Sequence, residues 1–239
     1  MTVEDYGKHG FGELERIYRD KPYQGQDPRV AKVIFLGRDA NYPRIIGDSC
    51  FFPLILDYHS DGVAFWNNHG IHHPFLHEDY PYNKDKDKRF KAGVKYHQVF
   101  ARMHLNSQYA DYISFVEILN KPTAGKTGQD KEGWFYNNIE DDHIRRLEDI
   151  LLGSGEKIIF VPKTVIRVDL KKVKRKTGRF AWLLEADRNS DKDEPDCILR
   201  KGEVSFFKCN HFSSAISNHH LCSIANIIRQ RIDPYISGS

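Results

Sequence analysis

Cysteine is scarce in this chain. Four occur in 239 residues, Cys50, Cys197, Cys209 and Cys222, and no two form a C-x-x-C pair. That spacing gives only weak support to a zinc knuckle or an iron–sulfur cluster. It leaves a reducing compartment as the expectation. No apolar run approaches the roughly 18 residues of a membrane span. The opening MTVEDYGKHG lacks the apolar core of a signal peptide. A cytoplasmic protein with no membrane partner is therefore expected. Charge of one sign is not in excess either: 36 Lys and Arg face 33 Asp and Glu, for a formal net charge of +3. So small an imbalance does not by itself imply a polyanionic partner. No internal repeat or linker divides the chain, and a single domain over residues 1–239 is expected, as a monomer. With 40% hydrophobic and 13% aromatic residues, it has the material for a substantial core.

Four short apolar runs stand out: Val33–Leu36, the segment DYISFVEIL, the segment EKIIFVPK and the segment EVSFFKCN. Runs of this length, mostly apolar and bounded by Gly, Pro or polar residues, read as strands buried on both faces. Helical spacing fills the intervals, in FGELERIYRD, GVKYHQVFARMHL, EDDHIRRLEDILLGSG and SSAISNHHLCSIANIIRQRI. Strands alternating with helices predict an α/β fold, a three-layer α/β/α sandwich on a central four-stranded, mostly parallel sheet. A charged insertion at about 169–195 reads as a hairpin or flap.

The first strand ends in Gly37, Arg38 and Asp39, with Asn41, Tyr42 and Pro43 behind. In open α/β sheets ligands bind beyond the carboxyl ends of the strands, so Asp39 lies where chemistry is often done; capping the following turn is the other reading. The fourth strand runs into CNHFSSAIS, which places His211, Ser213, Ser214 and Ser217 at a strand-to-helix junction. Free backbone N–H groups there favour an anion, and a serine there also serves as a helix cap. The segment AGKTG misses the phosphate-loop pattern, because Asn120 stands where the first glycine is required. His69, His72, His73 and His77 form a histidine-rich loop. His73 and His77 are four apart but without the interleaved Glu of a zinc protease, so polar surface is expected and no metal. The run RVDLKKVKRKTGRF sets Arg167, Lys171, Lys172, Lys174, Arg175, Lys176 and Arg179 against one acid, Asp169. A solvated face and a phosphate-contacting patch both fit it.

Taken in order, these segments resemble the uracil-DNA glycosylase superfamily. LGRDANYP looks like that superfamily's first motif, Gly-Gln-Asp-Pro-Tyr in its best-known branch. GVAFWNNHG resembles the Asn-Arg-Phe-Trp stretch of the mismatch-specific branch, and FVEILNKPT that branch's second strand, which ends in Arg-Pro-Thr. IIFVPKTVI is similar to a third-strand Gly-Lys-Thr segment with Pro162 for glycine, and NHFSSAIS looks like the His-Pro-Ser-Pro-Leu-Ser loop that closes on DNA. The chain departs from the family where the tyrosine that excludes thymine is expected. Asn41 occupies that position and Tyr42 follows it. Phe212 replaces a proline in the closing loop.

The resemblance implies a monofunctional glycosylase acting on DNA that contains uracil or a related lesion, with no cofactor. It implies Asp39 and His211 as catalytic residues. Gly37, Arg38, Asn41 and Tyr42 would line the base pocket, Phe51 or Phe52 would stack on the base, and Glu117 or Asn120 would read its edge. Lys163, Lys172, Lys174, Lys176, Ser213, Ser214 and Ser217 would hold DNA phosphates. A small-molecule nucleoside hydrolase and a DNA-damage binder without turnover are the other classes compatible with the sequence.

Overall fold

A computed structural model describes residues 5–130, 133–187 and 195–238. Among the described residues there are eight strands: β1 (Gly7–Lys8), β2 (Tyr23–Gly25), β3 (Val33–Gly37), β4 (Ile113–Glu117), β5 (Thr123–Ala124), β6 (Lys157–Pro162), β7 (Asp196–Lys201) and β8 (Val204–Cys209). Six form the main sheet in the order β2-β4-β3-β6-β8-β7, and β1 pairs with β5 in a separate ribbon. The four inner strands are the four expected ones and are mutually parallel. Six strands rather than four make the sheet, because antiparallel edge strands flank them, β2 on β4 and β7 on β8. Those two escape the sequence pattern: β2 has three residues, and β7 is polar and only half-buried.

Alternation along the strands divides the core into two layers. Ile34, Leu36, Val116, Ile159, Val161 and Phe206 face one side. There they meet Ile144, Leu147 and Leu151 of helix Asp141–Leu152, and Leu170 and Val173 of helix Leu170–Thr177. Val33, Phe35, Ile113, Phe115, Ile158 and Phe160 face the other side, under Val99 and Phe100 of helix Val94–Ala101 and Leu221, Ile224, Ile228 and Ile232 of helix Asn218–Ser237. Parallel register sets Phe35 beside both Phe115 and Phe160, with ring centroids 5.5 and 5.1 Å away. A third cluster, including Leu14, Tyr18, Tyr42, Phe51, Phe52, Phe75 and Tyr80, packs around the loop that leaves β3.

The charged insertion is not a flap over its described part. A π-helical turn, Val165–Asp169, runs into helix Leu170–Thr177 and bridges β6 to the far edge of the sheet. Val165, Ile166, Leu170 and Val173 are buried in the core, so the basic residues are the outer face of an amphipathic crossover. A short helix, Ala181–Ala186, follows, and residues 188–194 lie outside the described residues. The hairpin is instead β7–β8, turned at Gly202 with φ +60°.

Candidate active site

Because β4, β3, β6 and β8 run in one direction, Glu117, Asp39, Lys163 and His211 all stand at one edge of the sheet, at or just beyond the strand ends. β6 alone separates β3 from β8, which sets those two strand ends about 10 Å apart.

Asp39 caps no helix. Its Oδ2 accepts hydrogen bonds from the Tyr6 hydroxyl at 2.9 Å and from Thr123 Oγ1. Thr123 Oγ1 in turn accepts from Asn41 Nδ2 at 3.1 Å, which aims the threonine proton at Asp39. Asn41 Nδ2 also donates to the Gly125 carbonyl at 3.0 Å. Backbone bonds from Thr123 N to Ala40 O and from Tyr42 N to Thr123 O, both 2.9 Å, fasten the loop after β3 to β5. Ala124 and Gly125, the start of AGKTG, therefore stand beside this site, Ala124 within the β1–β5 ribbon. Burial pushes the Asp39 carboxyl above the usual carboxylate range, while Thr123, Arg38 and Tyr6 pull the other way. Burial, and next the Asp39 charge, push the Tyr6 phenol up, so Tyr6 stays a protonated donor. Asn41 is thus a positioning residue for the carboxylate, two hydrogen bonds removed from it.

Arg38 points elsewhere. Its guanidinium reaches Asp130 at 3.0 Å and Asp169 at 3.2 Å, and lies over the rings of Phe135 at 4.1 Å and Tyr6 at 4.9 Å. Burial raises the Asp169 carboxyl to about 6, against the pull of Arg38. The arginine ties the end of β3 to the crossover helix and to the Asp130 loop, rather than presenting its fork to a ligand.

Glu117 is paired in register with Gly37. A Cβ on Gly37 would collide with its carboxyl, the far end of the Glu117 side chain, which would have to shift to admit one. Among the described residues Glu117 Oε2 has no hydrogen-bond partner, and burial, with Asp39 next, pushes the group well up. A carboxyl whose folded pKa is raised contributes stability below its unfolded pKa, and that contribution is lost as pH rises. Glu117→Gln is therefore expected to leave the melting temperature unchanged near pH 4. Above that its advantage over the wild type should grow, by up to about 1.4 kcal/mol per pH unit. Thermal melts from pH 4 to 8 check this, and parallel curves for the two proteins would contradict it.

His211 lies two residues beyond β8. Its Nδ1 accepts from the Ser213 backbone N–H at 3.0 Å, which requires the proton on Nε2. Burial lowers its pKa, so the ring is neutral at physiological pH and Nε2–H is a donor. Ser214 Oγ closes the turn onto the His211 carbonyl at 2.5 Å. Ser217, expected on phosphates, is the N-cap of helix Asn218–Ser237 and accepts from His220 N at 3.1 Å. Ser213 and Ser214 remain exposed in the loop.

The other candidates are dispersed. Asn120 Nδ2 donates to Glu140 at 2.7 Å, at the start of helix Asp141–Leu152. Tyr42 is buried, its hydroxyl 2.8 Å from His59 Nε2. Phe51 sits edge-on to Tyr80 at 5.1 Å, and Phe52 edge-on to Phe11 at 4.7 Å, both inside the third cluster. The histidine loop is only partly polar surface: His72 and His73 are buried with His97, His72 Nε2 3.2 Å from His97 Nδ1 and the His73 ring stacked 3.6 Å from it. Burial lowers all three pKa values, which keeps the rings neutral. Among the described residues no group of three or more His, Cys, Asp or Glu is arranged to hold a metal, and no helix is long and apolar enough to cross a membrane.

The basic run divides between two faces. Lys176 donates to the Tyr136 and Asn137 carbonyls at 2.9 and 2.7 Å, and Lys172 lies 3.8 Å from Asp130 and over Phe135. Arg179 is tied to Asp141 and Glu148, both at 3.3 Å. Lys174 faces outward.

Four residues of the site have no signal in the sequence. Tyr6 lies in an opening that reads as merely polar, Asp169 reads as the one acid of the charged run, and nothing sets Asp130 apart. Thr123 is visible only as the end of NKPT. No family model, curated protein or solved structure matches the chain.

Proposed function

We propose that the protein is a DNA glycosylase that removes uracil, or a related deaminated base, by hydrolysing its N-glycosidic bond. The observation that carries this reading is the pairing of Asp39, held by Tyr6 and Thr123, with a neutral His211 donor at the same edge of the sheet. A base inside a duplex must leave the stack before its glycosidic bond can be reached. As that bond breaks, positive charge grows on the sugar and negative charge on the departing pyrimidine. The Asp39 carboxylate balances the sugar cation and orients the water that adds to C1′. The His211 Nε2–H stabilises the oxyanion of the leaving base, which finally takes the proton released by the water. Glu117, buried next to Gly37, stands beside Asp39 on the neighbouring strand.

Labelled oligonucleotides carrying uracil, hypoxanthine or a T·G mismatch, incubated with the protein and then with alkali, test the reading. Strand breaks at uracil are expected, undiminished by EDTA. Intact strands from all three would overturn it, and hydrolysis of free deoxyuridine without excision would replace it with a small-molecule hydrolase.

A further inference from the structure

A groove of about 720 Å³ runs along the outer side of the crossover helix, lined by Arg167, Lys171, Lys174, Arg175, Leu184 and Asp187. At about 100° per residue, the four cations fall within an arc of roughly 100° on the helix. The buried stripe of Leu170 and Val173 lies about 120° round the helix from the middle of that arc. Lys172 and Lys176 fall between the two faces and are engaged within the protein. The single acid of the groove, Asp187, is already matched: Lys208, 1% exposed, reaches it at 2.7 Å and Arg167 at 3.3 Å. Among the described residues Lys171 and Lys174 make no ion pair, and Arg175 lies over the Tyr136 ring at 4.4 Å.

We propose that Arg167, Lys171, Lys174 and Arg175 form a track for the phosphate backbone of DNA flanking the candidate active site, and that Lys172 and Lys176 take no part in it. The helix starts just after β6 ends, at the edge that carries Asp39, and Asp169 joins its first turns to Arg38. The track therefore begins at the helix end nearest the site, on the face of the helix turned away from Asp169. From Arg167 to Arg175 it extends about 12 Å at 1.5 Å per residue, the axial span of about three phosphates on one strand of a duplex. The ligand assigned to it rests on the glycosylase reading, while the division of the run into two faces rests on the helix alone.

The experiment measures binding of a 30-bp duplex containing an abasic-site analogue, from about 50 to 300 mM salt. It uses the full-length wild type, a triple variant (Lys171→Gln, Lys174→Gln, Arg175→Gln) and a double variant (Lys172→Gln, Lys176→Gln). The triple variant should flatten the slope of log affinity against log salt by about 2–3, at 0.9 per lost contact, with an unchanged melting temperature. The double variant should keep the wild-type slope and melt earlier. Excision from a short single-stranded uracil oligonucleotide is followed in parallel. If the wild type excises and the triple variant keeps its slope, the track is overturned and the glycosylase reading stands. A flattened slope with no excision by the wild type keeps the track and removes the glycosylase. Equal flattening by both variants overturns the division between faces.

Discussion

Replacing Asp39 with Asn is expected to lower single-turnover excision of uracil by about 10² or more while DNA affinity changes little. The amide preserves shape but removes the charge that balances the sugar cation. His211→Ala, which deletes the Nε2–H donor, should cost a comparable factor. Folding is not the cause: burial raises the pKa of Asp39, so ionising it in the folded protein is unfavourable and a neutral Asn relieves that cost. The melting temperature of Asp39→Asn should equal or exceed that of the wild type at pH 8. Excision by the wild type should fall as pH drops through the Asp39 pKa, with its acid limb above the ordinary aspartate value of about 3.9. A stable Asp39→Asn protein excising at nearly the normal rate would remove Asp39 from the mechanism and most of the support for a glycosylase.

Arg38→Ala should destabilise the protein by about 3–5 kcal/mol, because it strands two carboxylates only 6–7% exposed, Asp130 and Asp169. For a chain of this length that is a fall in melting temperature of about 6–20 °C. The loss should depend on pH. Without the guanidinium, Asp169, already raised to about 6, is raised further. A carboxyl raised on folding gives stability that is lost as pH rises through its folded pKa, so the deficit of Arg38→Ala should be largest at pH 8 and shrink towards pH 5. Arg38→Lys should recover little, since one ammonium cannot bridge two carboxylates and stack on Phe135 as the planar fork does. A deficit under 1 kcal/mol, or one independent of pH, would show that the clamp contributes little.

The inner sheet was legible because each strand is a short apolar run closed by a breaker or a polar residue, and burial on both faces leaves no alternation to misread. The crossover helix was hidden by its own charges: seven cations in one run dominate the reading, although Leu170 and Val173 keep the helical period beneath them. Asp39 and His211 could be singled out because they follow strand ends, a position that follows from topology once the strands are parallel. The partners that give them their chemistry could not. Tyr6 is 33 residues from Asp39 and Thr123 is 84, and Asp169 is 131 from Arg38. No local pattern encodes a contact across such intervals. His72 and His73 misled in the other direction, since residue type suggested surface where aromatic neighbours such as Trp66, Phe75 and Phe100 bury them.

The strand order has a consequence for synthesis on the ribosome. β3 is made early, yet both its sheet neighbours, β4 and β6, come later in the chain. At about 5–20 residues per second, the nascent Val33–Gly37 segment waits several seconds with two unpaired edges and apolar side chains on both faces. Asp39 meets Thr123 only after a further 84 residues, and His211 emerges later still. The unfinished chain thus carries an apolar strand whose two edges stay unpaired until β4 and β6 are made. It is during this interval that a holding chaperone would engage it and that aggregation competes most strongly with folding.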